Sequence, residues 1–223
     1  MVECRWEFRW DTLGLVVVPP PGCWRCMSSA DSSVVCSRAL KEWAVQCLAL
    51  GLGRQAVILR KGGLREGVEG FTVSDRDFWL YPTGFHQSPA QLVPEAVDLA
   101  AAVATEVPPA GQVPLRWHAR AVRTWRLTTL DQALRVQPWQ ILSADTVAAR
   151  FNYRQPGLWA LLLQIEPRAE VAWISESAAM RGCHSWVDLE TPLSTPLGAP
   201  VVAAAQLSEL AESLDRVISN CPD

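Results

Sequence analysis

Between Ser37 and Gly51 the apolar residues Ala39, Leu40, Trp43, Ala44, Cys47 and Leu48 recur at helical spacing, which predicts an amphipathic helix capped by Ser37. Gln55 to Arg60 is a compact apolar run and predicts a strand. Lys61 to Gly63 predicts a turn, and Phe71 to Val73 with Phe78 to Tyr81 the returning strands of a hairpin. The Ala-rich stretch from Pro89 to Glu106 reads as helix until Pro108-Pro109-Ala110-Gly111 breaks it. Leu115 to Leu127 alternates, with Leu115, Trp117, Ala119, Ala121, Trp125 and Leu127 on one face. Arg116, His118, Arg120 and Arg126 fall on the other, so a strand with a basic face is expected, Arg123 being the exception. Short helices are predicted over Asp131 to Val136 and from a Ser143 cap through Ala149. Strands follow at Leu158 to Ile165, Val171 to Ile174 and Ser185 to Leu189, and Leu207, Leu210, Ala211, Leu214, Val217 and Ile218 mark a C-terminal amphipathic helix.

Short strands interleaved with helices point to an α+β fold, a curved or barrel-like mixed sheet with peripheral helices. A doubly wound fold would want a glycine-rich loop opening a helix, whereas Gly62-Gly63 sits in the expected hairpin. By fold-level analogy alone, small α+β barrels of this kind bind RNA or modified bases, as in pseudouridine-synthase-associated domains.

Composition narrows the organisation. With 223 residues, 49% of them hydrophobic and 19% charged, the chain can bury a core of its own. Residues 1–36 differ from the rest: they hold Trp6, Trp10, Trp24, four of the seven cysteines and the run Val16-Val17-Val18-Pro19-Pro20-Pro21-Gly22. They are read as an extension outside the domain, disordered or not part of the native protein. Met27 is read as the true start, and residues 1–26 as upstream of it. Residues 37–190 are the α+β domain, and 191–223 a Pro-containing linker with a helix that packs on it. An odd number of scattered cysteines, no apolar stretch long enough to span a bilayer and no clear leader lead to the expectation of a cytoplasmic protein without a membrane.

Charge and site chemistry come next. The net charge of -3 hides a split, since residues 1–165 hold 17 basic and 14 acidic residues, and residues 166–223 hold 3 and 9. Arginine supplies 18 of the 20 basic side chains, which leaves Lys41 and Lys61 as the two lysines. Lys61 falls in the densest polar segment, Arg60-Lys61-Gly62-Gly63-Leu64-Arg65-Glu66, followed by Tyr81, His86 and Gln87. Glycines at a turn let backbone amides approach a ligand, and Arg60, Lys61 and Arg65 would surround a phosphate with charged donors. Tyr81 would stack, and His86 and Gln87 would read polar edges. Arg116, His118, Arg120 and Arg126 form a second, basic face.

Several chemistries are disfavoured. The common restriction-nuclease pattern needs an acidic residue two positions before a lysine, but Ala39 precedes Lys41 and Leu59 precedes Lys61 at that spacing. Asp75, Asp77 and Glu66 could gather a cation, although Asp75 and Asp77 are more simply a solvated turn. Cys23-Trp24-Arg25-Cys26 lacks a second ligand pair, and Cys183-His184 is adjacent rather than spaced, so neither a metal nor a cofactor is expected.

The same segments carry a family resemblance. Ala39-Leu40-Lys41-Glu42-Trp43-Ala44, the glycine turn, the Leu80-Tyr81-Pro82-Thr83 run, His86-Gln87 and Gly182-Cys183-His184-Ser185-Trp186-Val187 together resemble the domain-of-unknown-function 1802 family, bacterial and often cyanobacterial proteins. The resemblance runs from about residue 37 to 189. It implies no activity; the domains found beside such proteins imply an association with restriction-modification systems. The resulting expectation is a non-catalytic nucleic-acid-binding or base-recognition module. The alternative is an enzyme on a phosphorylated or nucleotide-like small molecule, with Glu66 or His86 as general acid or base.

Overall fold

The structure, a computed structural model, describes residues 7–11, 14–18, 33–62, 76–84, 87–182 and 184–219. Strands β1 (Glu7–Asp11) and β2 (Gly14–Val18) form an antiparallel pair of their own. The other six strands, β3 (Ser33–Trp43), β4 (Val57–Arg60), β5 (Asp77–Thr83), β6 (Gln112–Leu127), β7 (Leu158–Ser175) and β8 (Trp186–Pro196), make one sheet in the order β4-β7-β6-β5-β3-β8. All its pairings are antiparallel except β3 with β5. Among the described residues five helices flank it: α1 (Ala44–Gly51), α2 (Val97–Thr105), α3 (Leu130–Arg135), α4 (Ala144–Asn152) and α5 (Ala204–Ser219). This is the α+β architecture expected from the sequence, with the sheet left open. No helix among the described residues is long and apolar enough to cross a membrane.

The predicted helix from Ser37 is corrected to a strand that runs into a shorter helix. Ala39 packs with Trp79 and Tyr81 while Leu40 packs with Ile58 and Leu80, so neighbouring residues are buried on opposite faces. A strand covered on both sides loses its polar alternation, and its apolar residues then mimic a helical stripe. Helix α1 begins only at Ala44. Its Val45 amide donates to Gln87 Oε1 (3.4 Å), which supplies a partner at a helix start that has no side-chain cap at Trp43. At its far end Gly51 lies against Trp117, where a Cβ would sit 2.1 Å from the indole. Because β3 starts at Ser33, the boundary drawn at residue 36 falls inside a strand paired with β8.

The hairpin is corrected too. β4 pairs with β7, Leu59 opposite Ala160, and β5 lies between β6 and β3. The predicted strand at 71–73 lies outside the described residues. The two strands read within 158–174 are one, β7, paired with nearly the whole of β6.

Two register shifts interrupt the β6–β7 ladder. Between Leu115 and Trp117 the extra residues lie in β7, whose partner jumps from Ala172 to Pro167, and between Ala121 and Arg123 a β-bulge leaves Val122 as the extra residue of β6. At each the side-chain alternation of β6 turns over. Leu115 therefore packs with Trp79, Trp117 and Ala121 with Ile58 and Leu161, and Trp125 and Leu127 with Leu59 and Leu158. The single apolar face read from the sequence is three segments on two faces. Arg123 holds α5 instead, pairing with Asp215 (2.6 Å), which also accepts from Trp125 Nε1 (2.8 Å).

Bulges bend a sheet, and here the curl brings the edge strand β4 round toward β3. Leu40 of β3 and Ile58 of β4 share one core cluster. Arg60 Nη1 donates to Glu42 Oε2 (2.8 Å) and to Lys41 O (2.7 Å), so side chains bridge a seam that no ladder closes. Helices α2 to α5 cover the outer face through Leu99, Ala133, Val147, Phe151 and the Leu207, Ala211, Leu214, Ile218 stripe. Ser143 caps α4 by accepting from the Thr146 amide (3.3 Å), as its sequence predicts.

Candidate functional site

The seam opens into a cleft of about 1110 Å³. Lys41, Glu42 and Trp43 come from the end of β3, Leu59 and Arg60 from β4, and Lys61 and Gly62 from the turn after it. Arg126 comes from β6, Arg150 from α4, Tyr153, Arg154, Gln155 and Gly157 from the turn before β7, and Glu176, Arg181, Gly182, His184 and Ser185 from the β7–β8 connection. Among the described residues that line it, seven cations face two carboxylates, in a chain whose net charge is -3.

The floor is a buried polar chain. Gln55 donates to Gln46 Oε1 (3.2 Å), Gln46 to Glu42 Oε1 (2.7 Å), and Arg60 to Glu42 Oε2 (2.8 Å). The Glu42 and Arg60 side chains are only 4% and 10% exposed, which fixes the guanidinium in place. Beside them Arg150 lies 4.2 Å over the Trp43 ring and donates to Leu59 O (3.2 Å). Burial lowers its pKa, Glu42 acting the other way.

Both lysines of the chain are fasteners. Lys61 Nζ donates to Phe151 O (2.6 Å), Gly157 O (3.0 Å) and Gln155 O, and so ties down the turn after α4. Lys41 Nζ donates to Met180 O and Gly182 O (3.1 Å) and ties down the β7–β8 connection. Each turn carries an arginine to the cleft, Arg154 on one side and Arg181 on the other. Carbonyls satisfy the amines without cancelling their charge, so the lysines add to the positive potential. Gly157, at φ +122°, admits Arg126: a Cβ there would lie 2.8 Å from Nη2.

Of the residues read from the glycine turn, Arg60, Lys61 and Gly62 line the cleft. Gly63, Arg65, Glu66 and His86 lie outside the described residues. Tyr81 is buried and donates to Glu176 Oε1 (2.6 Å), so it braces a cleft residue and has no open face for stacking. Burial and the Glu176 carboxylate push its phenol pKa well up. Gln87 lines a second, smaller cavity of about 280 Å³ with Arg116 and Trp117.

The basic face of β6 comes apart at the register shifts. Arg116 pairs with Glu106, and Arg120 with Asp77 (2.8 Å). His118 is fully buried against Trp79, with Nδ1 3.4 Å from Glu166 and Nε2 3.7 Å from Asp77. Burial lowers its pKa, against the pull of the two carboxylates. Only Arg126 of the four reaches the cleft, because the bulge at Ala121/Arg123 turns it to the other side.

Sequence reasoning missed Lys41, Glu42, Trp43, Arg150, Tyr153, Arg154 and Arg181 as site residues. One signal was available, the interleaving of cations and aromatics in Arg150-Phe151-Asn152-Tyr153-Arg154.

The domain-of-unknown-function family DUF1802 has a model that matches residues 39–213. The chain belongs to the DUF1802 family. The DUF1802 span holds β3 from Ala39, the whole of β4 to β8 and most of α5, so every described residue lining the cleft falls inside it. Among curated proteins none matches this DUF1802 chain. A crystal structure of a mutant ZmASCH protein from Zymomonas mobilis is similar, with a TM-score of 0.44 and 12% identity over 79% of this chain and 94% of that one.

Proposed function

We propose that this DUF1802 protein is a non-catalytic nucleic-acid-binding module and that the cleft at the seam is its binding surface. One observation carries the reading: seven cations against two carboxylates, gathered from five separate parts of the chain into one concave surface. Such a surface attracts a polyanion through its phosphates and releases counterions on binding. Arginines held over rings, at Trp43 and Tyr153, present flat cationic groups to phosphates and bases alike. A cytoplasmic location accords with the free thiols of Cys36 and Cys47, both buried.

The test is titration of a labelled mixed-sequence oligonucleotide pool by fluorescence anisotropy across a salt series. Binding at low salt should fall steeply as salt rises. Charge reversal at Arg126 and Arg154 together should abolish it, while Arg120→Glu should leave it within about two-fold, since Arg120 lies outside the cleft. Absence of binding at low salt would end the reading.

A further inference from the structure

At one lip of the cleft, Tyr153 is 57% exposed, more open to solvent than Trp43, the partly buried tryptophan of the lining. The next residue, Arg154, has φ +62°, and no other described non-glycine residue has a positive φ. A left-handed arginine is disfavoured, and such a conformation persists only where its surroundings impose it. Here they do: Lys61 grips the carbonyls of Phe151, Gln155 and Gly157 on either side of it. The Arg154 guanidinium lies 5.1 Å from the Tyr153 ring centroid, so ring and cation form one stacked pair on a fixed turn. Two more arginines of the cleft repeat the arrangement, Arg150 over Trp43 (4.2 Å) and Arg126 over Trp159 (5.3 Å).

Resting on the nucleic-acid reading of the cleft, we infer that its ligand is single-stranded and that Tyr153 with Arg154 is the platform on which an unpaired base stacks. An exposed ring on a pinned turn loses little freedom when a base settles on it, and every base has a flat face to offer. A duplex keeps its bases stacked on each other and presents phosphates and groove edges instead. A concave surface bordered by arginine–aromatic pairs suits a strand threaded through it, not an element inserted into a groove.

The experiment compares a labelled oligonucleotide of about 10 nucleotides, within the span such clefts cover, with the same sequence as a duplex. The full chain, Tyr153→Ala, Tyr153→Phe and Arg154→Lys are titrated, with thermal melting as the check on folding. The single strand should bind about ten-fold or more tighter than the duplex, and Tyr153→Ala should remove about ten-fold of that affinity. The slope of affinity against salt should not change in Tyr153→Ala, since no phosphate contact is lost, and Tyr153→Phe should bind like the parent. Arg154→Lys keeps the charge without the plane and should fall between the two.

Equal binding of duplex and single strand, or an unaltered affinity in Tyr153→Ala while Arg126→Glu weakens binding, would overturn the stacking inference and leave the polyanion surface standing. Competition by heparin as strong as by the single strand would overturn it as well. If neither nucleic acid binds, the reading of the cleft fails and the inference fails with it.

Discussion

Strand β6 carries arginine to two regions of the molecule that treat it in opposite ways. Near Arg116 and Arg120 each cation meets a carboxylate, Glu106 and Asp77, and His118 is buried between Asp77 and Glu166. At the cleft, Lys41, Lys61 and Arg150 meet carbonyls and rings, and Glu42 and Glu176 are the two carboxylates among the described lining residues. The first region neutralises its charge locally. The second keeps most of it: Arg60 and Arg181 pair with Glu42 and Glu176, but a carbonyl satisfies a lysine donor without cancelling it. A count of arginines along the strand does not separate them; a bulge does.

The sharpest contrast lies in stability. Glu42→Ala would strand the buried Arg60 and should cost about 3–5 kcal/mol in denaturant unfolding, as for other broken buried pairs. Asp77→Asn, at a half-exposed pair with Arg120, should cost about 1 kcal/mol or less. Equal losses would erase the distinction between a preorganised floor and an ordinary surface pair.

A smaller effect follows from the fasteners. Lys61→Met removes the amine that grips three carbonyls, so amide hydrogen exchange across residues 151–157 should quicken by about ten-fold or more while β6 and β7 stay protected. Unchanged exchange there would mean that the turn is rigid without its lysine.

The smallest effect belongs to the neutralised region. Folding lowers the pKa of His118, so the unfolded chain binds its proton more readily and stability falls as pH drops below the unfolded value of about 6.5. The contribution is whole above that pH and is lost on the acid side, with a slope of at most about 1.4 kcal/mol per pH unit for one proton. Thermal melting of His118→Gln should show a flatter decline between neutral and mildly acid pH. A parallel decline in both proteins would show that the carboxylates, not His118, set the acid limb.

Much of the fold could be read from periodicity. Helices α3, α4 and α5 appear where caps and amphipathic stripes place them, because each buries a single face against the sheet. Strand β3 escaped, since Ala39 and Leu40 are buried on opposite sides and no polar alternation survives. The register shifts of the β6–β7 ladder escaped as well, because a change of pairing leaves composition untouched while inverting the positions beyond it. The site was legible at Arg60, Lys61 and Gly62 and, from the basic face of β6, at Arg126. Lys41, Arg150 and Arg181 are brought to them by the curl of the sheet, which no local pattern records.

The open seam has a consequence for the protein's behaviour in a crowded solution. β4 is an edge strand only four residues long, and an unpaired edge is a template on which a second chain can add a strand. Its exit is guarded by Arg60 and Lys61, and Arg126, Arg150 and Arg154 crowd the same rim. Like charges brought edge to edge repel, so the cations that would grip a polyanion also keep two copies of the sheet apart. Colloidal stability and the proposed ligand binding would then draw on the same arginines.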